Sequence, residues 1–72
     1  MNTSAQMEQL EVLRVKLEVL RAEHRDLNDA IDALHKRANA DMLTLKRLKK
    51  QKLALKDQIV AIEDRILPDI IA

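Results

Sequence analysis

The sequence lacks the residues on which several protein classes depend. Its 72 residues include no cysteine, no glycine and no aromatic residue, and Pro68 is the one proline. Without cysteine there is no disulfide and no thiolate metal site. Without glycine, tight turns between strands are not expected, and the chain also has few residues that favour β-sheet. Without aromatic rings, the protein cannot stack nucleic-acid bases in the way that single-strand readers do.

The missing residue types also argue against an enzyme or a metal protein. Ser4 is the one serine, no tyrosine is present, and there is no glycine-rich loop to cradle a phosphate. Asp32 and His35 have the spacing of half a carboxylate–histidine metal site, but such a site needs inward-facing carboxylates from several helices. We therefore expect no catalytic residue, no cofactor, no metal and no small-molecule substrate.

Charge and hydropathy argue against binding driven by overall charge and against insertion into a membrane. The thirteen basic residues nearly balance the twelve acidic ones, so no strong overall field attracts nucleic acid or a membrane surface. No segment approaches the roughly 18 apolar residues of a membrane span, and the first residues lack the basic and apolar regions of a signal peptide. These observations predict a cytoplasmic protein that does not enter the membrane.

The abundant residues favour one class of structure. Alanine, leucine, glutamate, lysine, arginine, glutamine and aspartate dominate, which is the composition of coiled coils and long helices. Apolar residues recur at alternating spacings of three and four, as in a helix with one apolar side. The predicted core positions, two of which are polar, are Leu10, Leu13, Leu17, Leu20, His24, Leu27, Ile31, Leu34, Leu45, Leu48, Lys52, Leu55, Ile59, Ile62 and Ile66.

This heptad phase runs on without a break, so it permits one long helix as well as a hairpin. Folding the chain near Ala38 places the two polar core positions, His24 and Lys52, in one layer, whereas two layers would otherwise be interrupted. Folding also brings acidic residues of the first half beside the lysine-rich second half, namely Glu23, Asp26, Asp29 and Asp32. We therefore predict an all-α antiparallel two-helix hairpin.

One domain is predicted over the whole chain. Its parts are a first helix at about residues 4–36, a turn at about 37–40, a second helix at about 40–67 and a tail at 68–72. Thr3 and Gln6 fit a capping box at the first helix. Asn39 can either end that helix in a left-handed conformation or cap the second, and Asp41 suits a first turn. Pro68 stops the second helix. The apolar tail has three open interpretations: a docking peptide, a tag read by a protease, or a cover for the end of the bundle.

The small size of the chain predicts self-association. At this length a single core supplies only a few kcal/mol, and neither disulfide nor metal is available. One hairpin also leaves five apolar residues partly uncovered, namely Val12, Val15, Val19, Leu53 and Val60. We predict a homodimer that forms a four-helix bundle, and a function exerted through self-association and contact with an unidentified protein.

His24 and Lys52 form the predicted polar layer. A polar layer in an apolar seam fixes the register and the number of chains in a coiled coil, and the lysine amine reaches water along its own stem. The other interpretation is a switch that responds to pH.

A cluster of basic residues is the clearest functional lead. Six basic residues fall within the eleven positions from Lys46 to Lys56, with no acid among them. Such a cluster is either a solvated surface or a contact for the phosphates of a nucleic acid. Weak, non-specific nucleic-acid binding is therefore the alternative function. The candidate surface for nucleic acid or another acidic partner comprises Lys46, Arg47, Lys49, Lys50 and Lys56.

Two segments carry family motifs. Residues 48–59, LKKQKLALKDQI, resemble the LKKxKLxLKDxI signature of the YdcH-like small bacterial proteins, a family of unknown function. Residues 23–31, EHRDLNDAI, are similar to that family's EHxxLDxxI segment, with Asn28 where aspartate is usual. The resemblance spans about Leu20 to Ile66. It implies a self-associating helical hairpin, and it supplies no activity, ligand or catalytic residue.

Overall fold

The chain folds into two helices that pack against each other. The computed structural model describes residues 3–66, and the side chains of residues 7–66. Helix α1 spans Thr3–His35 and helix α2 spans Met42–Ile66, with no strand in this part of the chain. A short turn joins them, and the two helices contact each other as a hairpin. The predicted all-α hairpin is confirmed.

Three of the predictions lie outside the described residues. The proposed capping box of Thr3 and Gln6 depends on side chains that precede residue 7, and both the stop at Pro68 and the apolar tail follow residue 66.

Backbone hydrogen bonds show how α1 ends and the turn begins. No glycine or proline interrupts either helix, so both sequences keep a high helical propensity. After His35, the Lys36 amide donates to the carbonyl of Asp32 at 3.3 Å, and the Arg37 amide donates to the carbonyl of Leu34 at 3.1 Å. The second bond spans three residues, the tighter pattern with which helices commonly finish.

Asp41 caps the second helix. Its carboxylate accepts a hydrogen bond from the Leu43 amide at 3.0 Å and one from the Thr44 hydroxyl at 2.8 Å. Its own carbonyl accepts the Leu45 amide at 3.0 Å, the first bond of the helix. An ionised carboxylate at this position satisfies free amides and also interacts favourably with the positive end of the helix dipole.

The prediction for Asn39 is therefore wrong in both of its forms. No residue of the described chain has a positive φ, so Asn39 is not left-handed. The cap of α2 is Asp41, two positions later. The physical reason is position: Asp41 directly precedes α2, so its carboxylate reaches the Leu43 amide and the Thr44 hydroxyl of the first turn, whereas Asn39 lies two residues earlier.

Removing this cap should lower stability in a pH-dependent way. The hydrogen bonds from Thr44 and Leu43 lower the pKa of Asp41 from its ordinary value of 3.8. A depressed folded pKa adds stability that is fully present above the unfolded pKa and is lost as pH falls through the folded one. Asp41→Ala should therefore lower the thermal midpoint at pH 7, and the difference from wild type should shrink progressively below pH 3.8.

The measurement is thermal unfolding followed by circular dichroism at several pH values. Asp57→Ala is the matched control, since Asp57 lies exposed in the interior of α2. A difference between Asp41→Ala and wild type that stays constant down to strongly acidic pH would contradict the assignment of the cap.

The core is one seam between the two helices. Leu17, Leu20, Ile59 and Ile62 form its buried cluster, against which Leu13, Leu55 and Ile66 pack. Ile31 and Leu45 are also buried, nearer to the turn. The half-buried residues include both polar positions of the predicted layer, and no hydrogen bond joins His24 to Lys52. No described side chain is completely enclosed, as expected for a pair of helices with solvent on both sides of the seam.

All fifteen predicted core positions are buried or half-buried in the structure. Six of them are buried: Leu17, Leu20, Ile31, Leu45, Ile59 and Ile62. The other nine are half-buried: Leu10, Leu13, His24, Leu27, Leu34, Leu48, Lys52, Leu55 and Ile66. No other large hydrophobic residue of the described chain is buried.

Candidate interaction surfaces

One ion pair shows how the two helices are oriented about the seam. Arg21 of α1 donates through its guanidinium to the Glu63 carboxylate of α2 at 2.7 Å. Both side chains are about half exposed, at 56% and 40%, so the pair contributes no more than about 1 kcal/mol. It nevertheless establishes which side of α1 lies next to which side of α2. We call the surface that carries it the ion-pair face.

Helical periodicity extends this face along both helices. With 3.6 residues per turn, positions seven apart return to nearly the same side of a helix, and positions four apart lie close to it. Arg14 precedes Arg21 by seven residues, and Lys56 precedes Glu63 by seven. The cations of the ion-pair face are Arg14, Arg21 and Arg25 from α1, and Lys49, Lys52 and Lys56 from α2.

The opposite side of the hairpin carries two shallow grooves. One groove is lined by Glu23, Asp26, Leu27, Gln51 and Leu55. The other, nearer the open end, is lined by Glu8, Gln9, Val12, Leu13 and Arg65. We call this side the groove face.

The grooves correct one prediction from the sequence. Glu23 and Asp26 were expected beside the lysines of α2, but they line a groove with Gln51. Within residues 7–66 no lysine of α2 forms an ion pair, and the one direct pair is that of Arg21 with Glu63. The reason is the position of each residue around its helix. Glu23 and Asp26 lie on the groove side of α1, whereas the lysines of α2 lie on the ion-pair face or point away from α1.

The basic cluster of α2 is distributed around the helix. All five residues of the candidate surface are exposed. Lys49 and Lys56 belong to the ion-pair face, whereas Arg47 lies eighteen residues, or about five turns, before Arg65 and so shares the groove side. Lys46 and Lys50 point away from α1. A run of eleven residues covers three turns of helix, so its cations cannot all share one side.

The exposed large hydrophobic residues of the hairpin include two patches beside the helices' core positions. The valine patch consists of Val12, Val15 and Val19, which are 65%, 61% and 51% exposed. A shallow concavity lined by Val12 and Val15, with Glu8 and Glu11 at its edge, lies on this patch. The second patch consists of Leu53 and Val60 on α2. These five residues are the ones that the sequence analysis expects to be poorly covered.

Two further observations concern membranes and metals. Neither α1 nor α2, within its described residues, contains a stretch long and apolar enough to cross a membrane. In the same residues no three side chains of histidine, aspartate or glutamate come together in an arrangement that could hold a metal ion. Asp32 and His35 are both exposed.

The comparison with protein families gives a direct result. Residues 17–63 match the family described as "Protein of unknown function (DUF465)", and this range covers more than half of the chain. The chain belongs to this family. It is the YdcH-like family that the two sequence motifs resemble. No curated protein and no solved structure shows significant similarity to the chain.

The position of the family match relates the YdcH-like region to the surfaces described above. The matched range contains the whole buried cluster and both partners of the Arg21–Glu63 ion pair. Val12, Val15 and Arg14 precede it. The YdcH-like region therefore includes the buried part of the hairpin seam, whereas the valine patch lies mostly in the N-terminal extension of α1.

The arginines of α1 are the residues that the sequence analysis missed. Arg14, Arg21 and Arg25 are scattered among acidic residues along the chain, so they do not form a cluster in sequence. Their spacings of seven and four were the available signal. That signal becomes informative only when the neighbouring side of α2 is known.

Proposed function

We propose that this member of the YdcH-like family is a non-enzymatic, cytoplasmic helical hairpin that associates with a second copy of itself and contacts another protein. The valine patch is the observation that carries this proposal. Three β-branched apolar residues exposed on consecutive turns are costly to leave in water, because each buried apolar side chain of this size contributes about 1.5–3 kcal/mol.

The spacing of the valine patch fits a helical partner. Val12, Val15 and Val19 are separated by three and then four residues, which is the repeat of a coiled-coil seam. Ala22, three residues later, is half-buried and continues the same repeat. This second seam lies on a different side of α1 from the hairpin core. The α1 helices of two copies can therefore pair through it, so that two hairpins form a four-helix bundle with a closed two-fold interface.

The limited core supports association as well. The described chain buries six hydrophobic residues, and none of them is fully enclosed. A core of this size gives little stability to a lone hairpin. Pairing of two copies adds the valine patches to the buried surface, so folding and association are expected to be linked.

Charge placed in the valine patch should separate the copies. For the double substitution Val15→Glu/Val19→Glu we expect a monomer, because burying four unpaired carboxylates at a two-fold interface is unfavourable. Glutamate has at least the helical propensity of valine, so α1 itself should persist. The measurements are sedimentation at several concentrations and the thermal midpoint, which should rise with concentration for wild type only.

The control places the same charges in the other apolar patch. Leu53→Glu/Val60→Glu alters residues of comparable exposure on α2, and this variant should keep the mass of the wild-type dimer. A wild-type protein that is monomeric at high micromolar concentration, or a dimer that survives the valine substitutions, would overturn the assignment of this interface.

The non-enzymatic part of the proposal is supported by the shape of the surface. The concavities on the described hairpin are open grooves between or beside the helices. Ligand and catalytic sites usually enclose most of their substrate. A surface of this shape is better suited to contact with an extended partner.

A second candidate function is weak, non-specific binding to the phosphate backbone of nucleic acid. The observation in its favour is that the exposed cations of α2 have no carboxylate within ion-pair distance in residues 7–66. Unneutralised cations bind phosphates with an affinity that falls steeply as salt rises. A titration of the wild-type protein with an oligonucleotide at two salt concentrations tests this candidate.

A further inference from the structure

We propose that the ion-pair face binds a linear chain of phosphates, and that the arginines of α1 act there together with the lysines of α2. This inference rests on the second candidate function and identifies its site. The sequence alone points to the lysine cluster of α2. The fold points to a surface shared by both helices, and it excludes part of that cluster.

The two sides of the hairpin differ in charge. The ion-pair face carries six cations, which are Arg14, Arg21, Arg25, Lys49, Lys52 and Lys56. Its three carboxylates are Glu18, which lies seven residues before Arg25, Asp32, which lies eleven residues after Arg21, and Glu63, which is already paired with Arg21. On the groove face three cations stand against three carboxylates: Lys16, Arg47 and Arg65 against Glu8, Glu23 and Asp26. An anion is therefore attracted to one side of a chain whose net charge is only +1.

The cations are arranged along a line. At a rise of 1.5 Å per residue, Arg14 to Arg25 extends about 16 Å along α1, and Lys49 to Lys56 extends about 10 Å along α2. The groove on the other side shows that residues 51–55 lie level with residues 23–27. Lys56 and Lys52 therefore lie beside Arg21 and Arg25, and Lys49 extends the row past Arg25 towards the turn. This arrangement fits an extended polyanion better than a single compact anion.

The side chains on this row suit phosphate. Arginine offers a planar set of donors that matches two phosphate oxygens, and lysine supplies a mobile point charge. No aromatic residue is available to stack a base. Binding should therefore depend on phosphate charge and not on base sequence. The backbone of a single-stranded nucleic acid and inorganic polyphosphate share this chemistry.

The ion-pair face also stays open in the proposed dimer. Val12 lines a groove with Arg65, so the valine patch lies towards the groove side of α1, away from Arg21. Two copies joined through their valine patches would each present one ion-pair face to solvent. Association would double the number of cationic rows and raise avidity for a long polyanion.

Paired arginine substitutions test the site. Arg14→Gln/Arg25→Gln removes two cations from the ion-pair face and leaves the Arg21–Glu63 pair intact. Arg47→Gln/Arg65→Gln removes two arginines from the groove side, so both variants have the same net charge. Fluorescence anisotropy with a labelled single-stranded oligonucleotide at several salt concentrations is the measurement. For the first variant we expect at least about a tenfold loss of affinity and a salt slope flatter by about 1.4, and for the control a loss of less than about threefold.

A third variant should change the affinity in the opposite direction. Glu63→Gln removes a carboxylate from the face and releases Arg21 for phosphate, so the affinity should rise by about threefold and the salt slope should steepen by about 0.7. A damaged fold does not produce a gain in affinity. Competition by inorganic polyphosphate at equal phosphate concentration should follow the same order among the variants. If it does not compete although the oligonucleotide binds, the bases contribute and recognition by phosphate charge is overturned.

The outcomes separate the two proposals. If wild-type protein binds neither probe at 50 mM salt, nucleic-acid binding and the ion-pair face are both overturned. If it binds and the groove-side variant loses as much affinity as the ion-pair variant, the nucleic-acid function stands and the assignment to this face fails. A large loss for Arg14→Gln/Arg25→Gln together with a gain for Glu63→Gln supports the inference.

Discussion

Leu20→Ala is expected to leave most of the protein unfolded at room temperature. Leu20 belongs to the buried cluster and is 7% exposed. Truncating a buried leucine to alanine costs about 2–5 kcal/mol, because the transfer energy of the side chain is lost and a cavity remains. A hairpin of this size has only about 3–5 kcal/mol available. The helical circular dichroism signal should fall sharply, and urea unfolding should lose its folded baseline.

Leu53→Ala is the matched control for this substitution. Leu53 is 66% exposed on α2, so the same chemical change removes little buried surface. Alanine is also the best helix former, which offsets part of any loss. The control should unfold within about 0.5 kcal/mol of wild type. Equal losses for Leu20→Ala and Leu53→Ala would mean that the described seam is not the stabilising contact.

The second large effect is a gain in stability from His24→Leu/Lys52→Leu. Both residues are half-buried at the seam between the buried cluster and the turn. Replacing a polar layer with an apolar one is often neutral or stabilising by about 1–4 kcal/mol. Because both side chains are only half-buried, we expect the double substitution to raise the stability by about 1–2 kcal/mol. Denaturant unfolding should shift to higher concentration, while the number of associated chains should become less uniform because a polar layer restricts it.

Gln58→Leu serves as the control, since Gln58 is exposed on α2 and lies off the seam. It adds a leucine without altering the polar layer, so neither its stability nor its mass distribution should change as much. Sedimentation at several concentrations measures the mass distribution. A double variant that is less stable than wild type, or one with a single sharp mass at all concentrations, would show that His24 and Lys52 do not act as a register-setting layer.

The sequence was informative about the core because burial in a two-helix protein follows a simple repeat. Leu17 and Ile59 lie in different helices, yet both follow from spacings of three and four, and both are buried. Two observations predicted the hairpin: folding near Ala38 aligns His24 with Lys52, and it brings acidic residues of the first half beside the lysine-rich second half. Neither helix contains glycine or proline, so no residue within them interrupts the helix, and both are long.

The start of α2 was less predictable because two polar residues competed for one role. Asn39 and Asp41 are both common at helix termini. Only the folded structure shows that the Asp41 carboxylate is within reach of both the Leu43 amide and the Thr44 hydroxyl. Local preference narrows a helix boundary to a few residues, and the hydrogen bonds that can form decide among them.

The sequence by itself predicted a helical hairpin, the residues that are buried or half-buried in it, and the family to which the chain belongs. Each of these depends on positions along one helix, and a repeat of 3.6 residues is sufficient to infer them. Only the tertiary structure decided which flank of α1 lies beside which flank of α2. In the structure Arg21 lies next to Glu63, and Glu23 lies beside Gln51, away from the lysines of α2. The sequence gives the angle of each residue around its own helix. Two helices can share the same seam while their flanks face each other in more than one way. The charge pattern of the surface can therefore be determined only from the packed pair of helices.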